Sequence, residues 1–387
     1  MNLRVSIQKL SLVTRSNDWR VSFVPFIIGC VYLWFYIFKI PFQRSSLIIF
    51  LFSLITTFGF ASLGYFINEF FDKYTDKIAG KVNKLSLLTS QQQVFLFLAS
   101  LLVTFLPWIW LPFDAISVLL ICMEVSLFLM YSLPYPRLKN VPYLSGFIDA
   151  SYAYLLPLLL SFYTYTLYAN AFFTPFIFFF SLSVFFIGYR NILIHHINDI
   201  FKDQLSGTFT LPQMIGPRKT NQLIILLLIC EVILVLISSA LVALENPLFV
   251  VWIIFYILFI LIRLKQYNFK IRKEYVAIES VRHLTDLAYQ IGFPLVNLVL
   301  IIYMDWLWIV LLPFHFVLLI PTFFKDKIFE GLVFLLSNFM AHFLYPCRLA
   351  FSRIVNYLIH YFFLLFGVNL IKENKSAFSY FKSRLKK

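Results

Sequence analysis

Residues 46–67 read SLIIFLFSLITTFGFASLGYFI and run without a break into residues 68–76, NEFFDKYTD. The first part carries no charged residue and is long enough for a membrane helix, which needs about 20 apolar residues to cross the hydrocarbon core. The second part spaces Asn68, Asp72 and Asp76 four apart. On a helix that spacing stacks side chains on one face, about 6 Å between successive turns. An amide and two carboxylates presented together form a cluster of hard oxygen donors. Mg²⁺ suits such a cluster, because it keeps several waters and takes one or two carboxylates alongside substrate phosphates.

The rest of the chain repeats the membrane pattern. Of its 387 residues 61% are hydrophobic and 13% charged, and the mean hydropathy is +0.85. Soluble domains carry about 25% charged residues, so a water-facing surface of ordinary size cannot be built here. Apolar runs fall at 21–38, 46–67, 94–113, 115–133, 143–167, 172–194, 221–244, 247–264, 286–304 and 306–323, with weaker ones at 329–346 and 353–371. They lack the short alternating segments of barrel strands, so the expected fold is all-α, a polytopic membrane bundle. The run beginning at Val21 is too long for a signal-peptide core and reads as the first membrane helix. Cys30, Cys122, Cys230 and Cys347 are scattered with no C-x-x-C pair, which suits small buried apolar residues better than metal or redox work.

The net charge of +14 sits in loops between apolar runs. No basic domain large enough to fold outside lipid is present, which excludes nucleic acid as a partner. Well over half of the 32 lysines and arginines fall in five segments: the N-terminal arm with Arg4, Lys9, Arg15 and Arg20, and the loops after the second, fourth, sixth and eighth runs. By the positive-inside rule these segments are cytoplasmic. Lys325, Lys327 and the tail from Lys372 to Lys387 fit the same side, whereas Arg348 and Arg353 leave open whether two more helices cross or a re-entrant hairpin forms.

A second acidic motif follows the sixth run, where Asp199 and Asp203 repeat the four-residue spacing. Two such pairs on one membrane face can oppose each other across a cavity with a metal-bridged diphosphate between them. Four carboxylates packed alone would repel and raise one another's pKa. A divalent ion removes that conflict, and Lys73, Lys81, Arg137, Lys139 and Lys202 in the same loops supply cations for the diphosphate.

With both motifs in view the chain resembles the UbiA-type intramembrane prenyltransferase superfamily. Its N-x-x-x-D-x-x-x-D motif is matched by Asn68, Asp72 and Asp76, and its D-x-x-x-D motif by Asp199 and Asp203, followed by Gly207 and Thr210. Its Y-x-x-x-K pattern after the fourth helix is matched by Tyr135 to Lys139, and residues 15–25 are similar to the start of its first helix. Glu69 stands where many relatives have Asp, and Lys81-Val82-Asn83-Lys84-Leu85 replaces a basic-proline pair. The resemblance implies about nine transmembrane helices around a central cavity in residues 1–305, followed by a helical extension with a basic cytoplasmic tail in residues 306–387. It implies Mg²⁺ as cofactor, held by Asn68, Asp72, Asp76, Asp199 and Asp203, and an isoprenyl diphosphate donor. The donor is bound with the help of Arg137, Lys81 and Lys202. Lys139 and Tyr135 join the aspartates at the reacting centre. A small-molecule acceptor, often aromatic, then attacks the allylic cation. Membrane lipid surrounds the protein, and a bacterial cell membrane is the expected location.

Other residues carry weaker signals. His195, His196, Arg190, Asn191 and Tyr65 adjoin the motifs, and Asp149 and Asp286 lie near helix ends on the motif side. Glu124 and Glu231 lie deep in apolar runs, where pairing within the bundle is one expectation. Competing readings are a terpene cyclase on the same scaffold, a transporter or channel, and a purely structural membrane protein.

Overall fold

The computed structural model describes residues 23–171, 174–266, 284–285 and 288–323. The expected helices at 329–346 and 353–371, the N-terminal arm, the basic tail and Asp286 lie outside the described residues. Among the described residues every regular element is helical. The main ones are α1 Val24–Ile37, α2 Arg44–Ile78, α3 Ser90–Phe105, α4 Ala115–Ser132, α5 Pro142–Ala169 and α6 Phe176–Asn198. Two short helices follow, α7 Ile200–Leu205 and α8 Leu211–Ile215, then α9 Pro217–Glu245, α10 Val250–Gln266, α11 Phe293–Met304 and α12 Leu311–Phe323. Among the described residues seven helices are long and apolar enough to cross a membrane, and three shorter apolar ones accompany them. The chain is an integral membrane protein of the polytopic helical kind.

A helix that is apolar all round belongs in the interior, and α1 obeys: every residue from Val24 to Tyr36 is buried. Gly29 lets α11 come close, since a Cβ there would lie 2.8 Å from the Phe293 ring and 3.0 Å from the Pro294 backbone. Around α1 the rings interlock: Trp34 meets Phe162 edge-on at 5.1 Å and Phe35 stacks on Trp308 at 4.4 Å. The outer faces carry exposed Leu98, Leu102, Leu119, Ile254 and Leu258. In water they would form association patches; against lipid they are the ordinary solvent face.

Two helices widen into π turns, at Ser151–Leu155 within α5 and at Ala288–Gly292 before α11. Each comes just before a proline, Pro157 and Pro294. Proline lacks the N–H for the i→i−4 bond and its ring clashes with that carbonyl, so the preceding turn opens.

At 35 residues α2 is about 52 Å long. The hydrocarbon core is about 30 Å thick, so the excess length carries the end with Asn68, Asp72 and Asp76 past the apolar layer. Deep in the bundle, Arg190 of α6 donates to Glu231 Oε2 of α9 at 2.8 Å and to Thr285 at 3.3 Å. Tyr289 donates to Glu231 Oε1 at 3.0 Å and shares a hydrogen bond with Tyr256. All five side chains are buried, and the network fixes the second-motif helix against α9 and α10.

Candidate active site

The first motif remains helical to Ile78, so Asn68, Asp72 and Asp76 share one face of α2. Each has a partner from another segment. Ser132 donates to Asn68 Oδ1 at 3.5 Å. Asp72 Oδ1 accepts from Lys139 Nζ and from Arg137 Nη2, the latter at 3.2 Å. Asp76 Oδ2 accepts from Asn83 Nδ2 at 2.9 Å. Arg137 also reaches Thr75 Oγ1 at 3.2 Å. It does so from a left-handed backbone conformation, φ 46° and ψ 61°, which costs a non-glycine residue about 1–3 kcal/mol and clusters at functional sites.

The second motif straddles a helix break. Asp199 ends α6, and Asp203 lies on α7 with its carboxylate mostly buried. The C-terminal end of α7 is closed by Ser206 and Thr208, which donate to the Asp203 carbonyl, and by Gly207 at φ +69°.

Lys81 joins the two motifs. It sits in the loop after α2, and its Nζ lies 3.3 Å from Asp199 Oδ2 and 3.3 Å from Asp203 Oδ1. Burial alone would lower the Lys81 pKa, but the Asp203 and Asp199 carboxylates outweigh it and raise the value. Burial alone would raise Asp199, but the charges of His195 and Lys81 and the hydrogen bonds from Lys202 and Lys81 pull it down. In Asp203 burial prevails over Lys81 and the pKa rises. Burial also depresses Lys139 despite its contact with Asp72. Lys202 reaches Asp199 Oδ1 at 3.3 Å from an exposed position, and His195 approaches Asp199 at 3.7 Å.

Not every expected residue converges. Tyr135 is 90% exposed and shows no hydrogen bond to the carboxylates. Lys73 turns away to Gln93 Oε1 at 2.8 Å and lies over the Phe70 ring. Asn191 donates to Tyr154 OH at 3.2 Å, and His196 is buried beside the second motif. Tyr152 donates to Asp149 Oδ1 at 2.7 Å, with Phe128 and Tyr131 packed edge-on against its ring. Two residues without a motif assignment shape the Lys81 loop. Buried Glu69 accepts from the Lys84 N–H at 2.8 Å, and Asn83 bonds both the Glu69 carbonyl and Asp76. The departure from the basic-proline pair at Lys81–Leu85 was the sequence signal that this loop is built differently.

Among the described residues no three carboxylate, imidazole or thiol side chains form a ready metal cage. The donor set accepts a cation: an ammonium already sits equidistant between Asp199 and Asp203.

Compared with solved structures, the chain is similar to a UbiA homolog from Archaeoglobus fulgidus bound to GPP and Mg²⁺, at 18% identity and TM-score 0.51, covering 76% of this chain and 98% of that one. The same homolog bound to DMAPP and Mg²⁺ gives 17% and 0.51, with 76% and 97% covered. An apo UbiA homolog from Aeropyrum pernix K1 gives 15% and 0.52, with 72% and 96% covered. At such identities the likeness is one of fold. No curated protein matches the chain. The model of the UbiA prenyltransferase family matches residues 21–277, well over half of the sequence, and the chain belongs to that family.

Proposed function

We propose that this protein transfers an isoprenyl group from a prenyl diphosphate to a small acceptor within the membrane. The observation that carries the reading is the Lys81 bridge: a side chain from the first-motif loop touches both carboxylates of the second motif, so the two acidic clusters serve one site. Asn68, Asp72, Asp76, Asp199 and Asp203 are the residues proposed to hold Mg²⁺, the ion present in two structures of a fold relative. Magnesium bound there would draw charge off the diphosphate as the allylic C–O bond breaks.

The chain's own cations complete the leaving-group site. Arg137 and Lys139, now on Asp72, and Lys81 and Lys202, now on Asp199, are placed to turn toward the diphosphate oxygens. The buried Phe128 and Tyr131 on α4 and the Tyr152 ring on α5 wall the membrane side, where excluding water protects an allylic cation. Tyr135, at the solvent edge, has the least support of the expected set. The basic loops favour a cytoplasmic orientation of this face, and a bacterial cell membrane is the proposed location.

The test is incubation of membranes with Mg²⁺, labelled prenyl diphosphates and a panel of aromatic, sugar-phosphate and glycerol acceptors. Expected is metal-dependent labelling of an acceptor, abolished in Asp72→Ala and Asp199→Ala while both variants remain folded. Full activity in both variants rejects the site. A product built only of the isoprenyl chain indicates a cyclase, and flux across vesicles without transfer indicates a transporter.

A further inference from the structure

Two glutamates lie deep in the membrane helices, and the structure treats them differently. Glu231 is satisfied by Arg190 and Tyr289. Glu124 of α4 is 1% exposed, its Oε2 has no hydrogen-bond partner, and among the described residues it enters no ion pair. An ionisable side chain at membrane depth is costly and marks function by default, and a buried polar atom left unpaired calls for an explanation.

Its position supplies one. The buried residues of α4 are Ser117, Glu124, Phe128, Tyr131 and Ser132, one face by helical spacing. The upper end of that face meets the first motif, where Ser132 bonds Asn68. One turn down, the Phe128 ring lies 3.3 Å from where a Cβ on Gly64 of α2 would be, and it packs on Tyr152. Another turn down comes Glu124, about 12 Å below Ser132 along the axis. That is the direction in which a hydrocarbon tail must run when its diphosphate is held at Asp72 and Asp199. This inference therefore rests on the donor-binding reading above.

We propose that Glu124 sets the donor chain length by placing a carboxyl beside the far end of the isoprenyl tail. A short tail ends above it and leaves room for water to bond the carboxyl. A longer tail seals it against hydrocarbon without a partner, and that desolvation opposes binding. The discriminating feature is thus polarity rather than bulk.

Purified protein in detergent, with Mg²⁺, is titrated calorimetrically with geranyl and geranylgeranyl diphosphate, which requires no knowledge of the acceptor. In Glu124→Leu, of similar size, the geranylgeranyl Kd is expected to fall about tenfold while the geranyl Kd stays within twofold. Glu124→Gln keeps the polarity and retains the wild-type ratio of the two. A ratio unchanged in Glu124→Leu, or changed equally in Glu124→Gln, overturns the proposal. Wild-type protein that binds neither donor with Mg²⁺ overturns instead the donor-binding reading on which it stands.

Discussion

At the motif end of the bundle, carboxylates meet side-chain cations drawn from distant loops: Asp72 takes Arg137 and Lys139, and Asp199 and Asp203 take Lys81. At the opposite end, carboxylates meet backbone N–H groups and neutral hydroxyls, such as that of Tyr163 on Asp114. Asp114 caps α4 by accepting from the N–H groups of Ile116 and Ser117. Asp305 accepts from Phe42 N–H at 2.8 Å and Leu307 N–H at 3.1 Å. A capping carboxylate exhausts itself on donors that cannot leave. One paired with a flexible ammonium can exchange that cation for another. The partner, not the acid, separates a structural aspartate from one able to take up metal and substrate.

The sharpest way to break this comparison is to neutralise one acid at each end. Asp203→Asn should lower Mg²⁺-dependent transfer roughly 100- to 1000-fold, the usual loss when one charge-stabilising group of a site is removed, with thermal midpoint unchanged. A fall in midpoint without loss of transfer would put Asp203 with the capping group. Of comparable size is Arg190→Ala, which strands buried Glu231 and should cost about 3–5 kcal/mol, read by thermal denaturation in detergent. Arg190→Met combined with Glu231→Leu should recover most of that loss, because the pair's removal takes away the uncompensated charge. Smallest is Asp305→Ala, expected to cost about 1 kcal/mol as a lost cap with transfer untouched; an altered donor Kd there would blur the distinction between the two ends.

Much of this was legible in the sequence because it depends on local periodicity. Continuous apolar runs specify membrane helices, and four-residue spacing puts Asn68, Asp72 and Asp76 on one face whatever the tertiary packing. Loop charges grouped Lys81 with the segments that carry the motifs. They could not assign its carboxylates, 118 and 122 residues away, because no local pattern encodes such a distance. The same holds for Asn83, whose double contact with Glu69 and Asp76 depends on how the loop turns back. Glu124 and Glu231 look alike as isolated acids in apolar runs, and only the packing of α6 beside α9 gives one of them an arginine. Tyr135 shows the converse: a spacing that matches a pattern, on a ring that the turn leaves in solvent.

The burial of α1 has a consequence for biogenesis. The helix is enclosed on all sides, yet its close neighbour α11 and the Asp305 clamp on Phe42 come from more than 250 residues later in the chain. A ribosome must finish most of the protein before those partners exist. During synthesis α1 therefore sits in lipid or in the insertion machinery as an orphan, and the bundle closes around it only when the late helices arrive. Truncation before residue 293 should thus leave an inserted but unclosed bundle, exposed to membrane quality-control proteases.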